Sequence, residues 1–182
     1  MPKWDTVSGI KRTTLVFWAA WLSVVAATNV LDGLGAVGAL PGSFKFASGN
    51  WRWINEVMDP LDVPRGLQAA LFTGAIAWEA LAAALFWWAA AVYRGRPLAQ
   101  EKAAVYACSV NLALWAAFQV LDEVFLAYQP EGVHRAIFLN QIATLLLLQL
   151  LPGTAPRPGT GEADEARAGG GAARAATGPP PE

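Results

Sequence analysis

Apolar and polar positions along this chain fall into long blocks rather than a residue-by-residue alternation. Four apolar runs, at about residues 13–31, 67–93, 103–128 and 136–151, are separated by polar stretches. A helix needs about 20 apolar residues to cross the hydrocarbon core of a bilayer. The pattern therefore predicts an all-α membrane protein, a four-helix antiparallel bundle with a long outward loop between the first two spans. The second run is the longest, and only Gln68, Thr73 and Glu79 interrupt it. Helical spacing puts Phe72, Ala75, Ile76, Ala82, Ala83 and Phe86 on the Glu79 side. A carboxylate near the centre of a span costs about 2.5–3.5 kcal/mol on insertion scales, so that side should face protein or water. Ala70 with Gly74, and Ala80 with Ala84, would let neighbouring helices approach closely.

The stretches between the runs carry their own signals. In the loop at 32–66, Gly33, Gly35, Gly38, Pro41 and Gly42 should stop the first helix near the start of the loop. Asn50–Met58 then reads as a short amphipathic helix with Trp51, Ile54 and Met58 on one side. Trp51, Arg52 and Trp53 suit a membrane interface or a partner surface. Residues 94–102 form a short basic turn. The third run carries Asn111, Gln119, Asp122 and Glu123. The first three share a helical stripe, and Glu123 is turned about 100° from Asp122. Residues 128–135, with Pro130 and His134, read as a tight connection. Asn140 and Gln141 fall in the first turns of the fourth run. Residues 153–182 are rich in Gly, Ala, Pro and charge, which predicts a disordered tail.

Composition narrows the class. Hydrophobic residues make up 55% of the 182, charged residues 15%, and the net charge is −1. No basic patch interleaved with aromatics is present, which argues against nucleic acid as a partner. The single cysteine, Cys108, cannot form an internal disulfide and reads as a small buried hydrophobe. A cleavable signal peptide competes for the first run, with residues 25–27 as a cleavage site. The run is too long for that and carries Trp18 and Trp21, so it reads as a span. High Ala, Gly, Arg and Pro usage suggests a bacterial source, hence the cell membrane.

Charge sets the expected orientation. Lys3, Lys11, Arg12, Arg94, Arg96, Lys102, Arg157, Arg167 and Arg174 fall on one side of a four-span arrangement. Lys45, Arg52, Arg65 and Arg135 fall on the other. The excess predicts cytoplasmic N- and C-termini. Depth along each helix then puts most polar groups in the outer half. Asn29 and Asp32 close the first span, and Asn140 and Gln141 lie in the outer third of the fourth. Glu79 lies about 18 Å below the outer end of the second, and Asp122 and Glu123 about 8–9 Å below that of the third.

This asymmetry predicts an outward-facing acidic crevice with Glu79 at its base. Such a crevice could take a proton or cation. It could hold a divalent metal through Glu79, Asp122 or Glu123, and His134. It could also bind an amphiphile such as a quinone headgroup between Gln119, Gln141 and the tryptophans. The alternative use of these groups is to hydrogen-bond across helices and specify the bundle. No Ser/His/Asp set or Gly-rich phosphate loop is present, and a lone histidine excludes bis-histidine haem.

The first span ends in Asn29 with Asp32 close by. Asn50-Trp51 and Val57-Met58-Asp59 follow in the loop, and Trp78-Glu79-Ala80 in the second span. Together with the later Gln141, these motifs resemble a bacterial family of predicted small integral membrane proteins of unknown function. The glycine-rich insert at 33–42 departs from that pattern. The resemblance implies a four-helix membrane fold and adds no chemistry. The expected function is a non-enzymatic accessory or ligand- or ion-binding membrane subunit, in a homo-oligomer or with other membrane subunits. A transporter or channel component, and a redox or metal-dependent enzyme using Glu79, Asp122 and His134, are the alternatives.

Overall fold

The computed structural model describes residues 6–153. The tail at 154–182, Lys3, and the arginines at 157, 167 and 174 lie outside the described residues. The described chain folds into five α-helices: α1 (Thr6–Ala36), α2 (Asn50–Met58), α3 (Arg65–Val92), α4 (Lys102–Val124) and α5 (Tyr128–Leu150). Four of them, all but α2, are long and apolar enough to cross a membrane. No strand occurs among the described residues.

The long helices pack in chain order, α1 on α3, α3 on α4 and α4 on α5, with a lighter contact between α1 and α5. Paired positions run in opposite senses between α1 and α3 and between α1 and α5. Late Asn29 meets mid-helix Glu79, and earlier Ser23 meets later Trp87. Early Lys11 reaches Leu151 and Trp18 reaches Thr144.

The apolar core occupies the end near residues 94–101. It is built from Leu15, Trp18, Ala19 and Leu22 of α1, from Ala82, Ala83, Phe86, Ala89 and Ala90 of α3, and from Ala103, Ala104, Ala107 and Cys108 of α4. Alanine on facing helices lets the backbones approach closely, so packing rather than bulk holds this end. Two buried polar contacts close it. Glu101 accepts from the backbone N–H groups of Arg94 and Arg96, at 3.0 Å each. Lys11, fully enclosed, donates to the Leu151 carbonyl at 2.7 Å, where the final carbonyls of α5 lack helical partners.

Several boundaries differ from those read in the sequence. α1 runs through Gly33 and Gly35 and ends at Ala36. Its stop is Gly38, at φ 75°, with the Ala39 N–H closing back on the Leu34 carbonyl. That left-handed position favours glycine, whereas Gly33 lies inside the helix against Phe72. α5 begins at Tyr128 instead of about residue 136. Pro130 falls in its first turn, where the missing N–H has no helical acceptor, so the proline starts this helix rather than preventing it. The 128–135 connection is therefore helix, and His134 sits in its second turn. Asn140 and Gln141 lie midway along α5 and not in its outer third. Ala70, Gly74, Ala80 and Ala84 face outward, so they do not bring α3 against its neighbours within one chain.

Candidate functional site

Glu79 is buried midway along α3, 3% exposed, on the same face as Phe72, Ala82, Ala83 and Phe86. Its partner comes from α1, fifty positions earlier. The Asn29 amide nitrogen donates to the carboxylate, at 2.8 Å to one oxygen and 3.1 Å to the other. The Asn29 carbonyl oxygen in turn accepts from the side-chain amide of Asn50 at 2.8 Å. Asn50 is the first residue of α2 and is exposed. A directed chain of amide dipoles thus leads from the surface to the buried carboxylate. Among the described residues no cation pairs with Glu79, and about half of its lone-pair positions remain unused.

α2 is fixed over this point at both ends. At its start, the Asp32 carboxylate accepts from the Trp51 N–H at 2.7 Å and from the Ser48 hydroxyl at 3.2 Å. Gly49, the cap position of α2, has no side chain to do this, so α1 supplies the cap from a distance. The Trp51 ring then lies 5.6 Å from the ring of Phe72. At the far end, Asp59 accepts from Arg65 and from the fully buried Gln68, at 2.8 Å each. Gln68 also donates to the Val63 carbonyl at 2.9 Å. Arg52 points away and forms a loose, exposed pair with Glu56, while Trp53 is half-buried.

A second polar pair lies at the junction of α4 and α5. Asp122, 4% exposed, meets Nδ1 of His134 at 2.7 Å. The imidazole stacks on Phe118, with centroids 5.0 Å apart and planes at 22°, and also touches Trp115. An aspartate at Nδ1 fixes the ring and leaves Nε2 as the free nitrogen. Trp115 donates to the Asn111 carbonyl oxygen at 3.0 Å, and Gln119 donates to the Trp115 backbone at 3.2 Å. Gln141 is fully buried with both amide atoms unpaired, and one Asn111 amide nitrogen is likewise unpaired.

The structure thus divides the predicted site residues. Asn29, Asp32 and Glu79 come together under α2, and Asp122 meets His134. Glu123 and Asn140 are exposed, and neither bonds to these groups. The trio Glu79, Asp122 and His134 does not form one ligand set. Among the described residues no group of three or more His, Cys, Asp and Glu side chains could hold a metal ion. A groove of about 500 Å3 lies instead between α1 and α5, and none of the predicted carboxylates lines it.

Sequence reasoning did not select Asn50, Ser48, Asp59 or Gln68 as site residues. Asn50 and Asp59 carried a signal, since both belong to the motifs of the loop. Gln68 was visible as one of the few polar interruptions of its span, but its partner was not. No family model matches this chain, and neither does a curated protein nor a solved structure.

Proposed function

We propose that this chain is a small, non-enzymatic membrane subunit that binds a proton or a small cation at Glu79, with α2 as the cover of that site. The reading takes the four long helices as an antiparallel bundle in a bacterial cell membrane, with both termini cytoplasmic and α2 on the outer face. The observation that carries it is the Asn50–Asn29–Glu79 chain. A buried carboxylate must be paired or neutralised. Here a single amide donates to it, and the remaining lone pairs can take a proton or a cation. The amide chain links the state of Glu79 to the first residue of α2. In this reading the chain works within a homo-oligomer or beside other membrane subunits, which would supply any larger pathway.

Infrared difference spectroscopy on the purified protein in lipid nanodiscs tests this. Titration with Na+, K+ or Mg2+, or with acid, should change one carboxyl band that is missing in Glu79→Gln. A Glu79 band that responds to none of these leaves the residue as a structural hydrogen-bonder and removes the proposal.

The Asp122–His134 pair supports a second reading, in which Nε2 of His134 serves as a base or a metal ligand completed by a partner subunit. Stoichiometric metal in the native complex, lost on His134→Ala, would favour it.

A further inference from the structure

The groove between α1 and α5 lies where the two helices part. They touch at Lys11 with Leu151 and at Trp18 with Thr144. Thr14, Phe17, Trp18 and Trp21 form the α1 wall, and Ile137, Asn140, Ala143, Thr144 and Leu147 form the α5 wall. Its volume, about 500 Å3, lies within the range of small-molecule sites. Asn140 and Thr144 are one helical turn apart on the same face. The Thr144 hydroxyl already accepts from the Trp18 indole at 3.0 Å, but the Asn140 amide has no hydrogen bond among the described residues. Asn140 lies next to the midpoint of a helix long and apolar enough to cross a membrane. In hydrocarbon an unmet amide is costly, so an occupant that hydrogen-bonds is favoured over a bare acyl chain.

We propose that this groove is a lateral binding site for a neutral amphiphile whose carbonyl- or hydroxyl-bearing head meets Asn140 and whose apolar body lies against Trp18 and Trp21. Neutrality follows from the lining, which contains no charged side chain. The lining also argues against a helix from a second copy. Close helix contacts use strips of small residues, whereas here Thr14, Ala143 and Thr144 are interrupted by the bulk of Phe17, Trp18, Trp21, Ile137 and Leu147. The site is separate from Glu79, and the two proposals stand or fall independently.

The test is a titration of the detergent-solubilised full chain with decylubiquinone, a carbonyl-bearing amphiphile that quenches nearby tryptophan fluorescence. Quenching should saturate. Asn140→Leu should weaken the apparent affinity about tenfold, and Ala143→Trp, which fills the groove, should abolish saturable quenching. Val120→Ala, on the exposed face of α4, should leave affinity within about twofold and controls for partition into the micelle. Circular dichroism and gel filtration confirm that each variant folds. Quenching that never saturates, or that survives either groove substitution, overturns the proposal. So does a stable dimer that Asn140→Leu dissociates in the absence of quinone, because the occupant would then be a second copy.

Discussion

Asn29 is the residue on which the buried site turns, since it donates to Glu79 and accepts from Asn50. Replacing it with leucine strands a buried carboxylate and removes the acceptor of Asn50. Leaving a buried polar group unmet costs about 1–3 kcal/mol, and more when it is charged. Asn29→Leu should therefore destabilise the protein by about 2–3 kcal/mol in a mixed-detergent unfolding titration. The same balance supplies the control, because replacing both partners with apolar groups is nearly neutral. Asn29→Leu combined with Glu79→Leu should recover most of the loss. An additive pair would mean that the two side chains do not depend on one another.

At the level of elements, the α1–α3 connection and the α4–α5 turn matter most. α2 has a weak intrinsic start, and Asp32 completes it from α1. Loss of a cap costs about 0.5–2 kcal/mol. Asp32→Ala should raise amide exchange across Asn50–Met58 by about tenfold while α1, α3 and α4 keep their protection, since short capped elements open locally. Uniform loss of protection would instead make α2 part of the cooperative core. The α4–α5 turn closes differently. The Ala127 N–H reaches the Asp122 carbonyl at 2.7 Å, and Leu126 occupies the left-handed position at φ 54°. A side chain there costs about 1–2 kcal/mol. Leu126→Gly should stabilise the protein by about 1 kcal/mol, offset in part by glycine's greater freedom when unfolded. A loss of stability would show that the Leu126 side chain contributes contacts worth more than the strain.

For the whole molecule, charge predicts an orientation. The short turn holding Arg94, Arg96 and Lys102 should be cytoplasmic. In a Cys108→Ala background, a membrane-impermeant maleimide added to intact cells should label Ser43→Cys and not Ala99→Cys. The reverse pattern would invert the protein and place α2 inside. Outward-facing Phe17, Val24, Trp87, Trp88 and Leu146 form the apolar surface that a bilayer would cover.

Four long apolar helices were legible in the sequence, because length and hydropathy are local properties of the chain. So was α2, whose bounds match the amphipathic stretch. The burial of Glu79 beside Phe72, Ala82, Ala83 and Phe86 was legible for the same kind of reason, a 3.6-residue period. The ends of α1 and α5 were less legible. Glycine and proline read as breakers, but their effect depends on position within the helix, as Gly33 and Pro130 show. Which polar groups meet was decided only by tertiary structure. Asn29 and Glu79 are fifty residues apart, and Asp122 and His134 lie on different helices whose rotation the sequence does not specify. One expected crevice became two separate pairs because α1 and α3 carry one pair while α4 and α5 carry the other. Asn140, read as part of that crevice, instead points into a groove on the far side of α5. Periodicity assigns each side chain to a face of its own helix, and only the packing of helix on helix decides what that face meets.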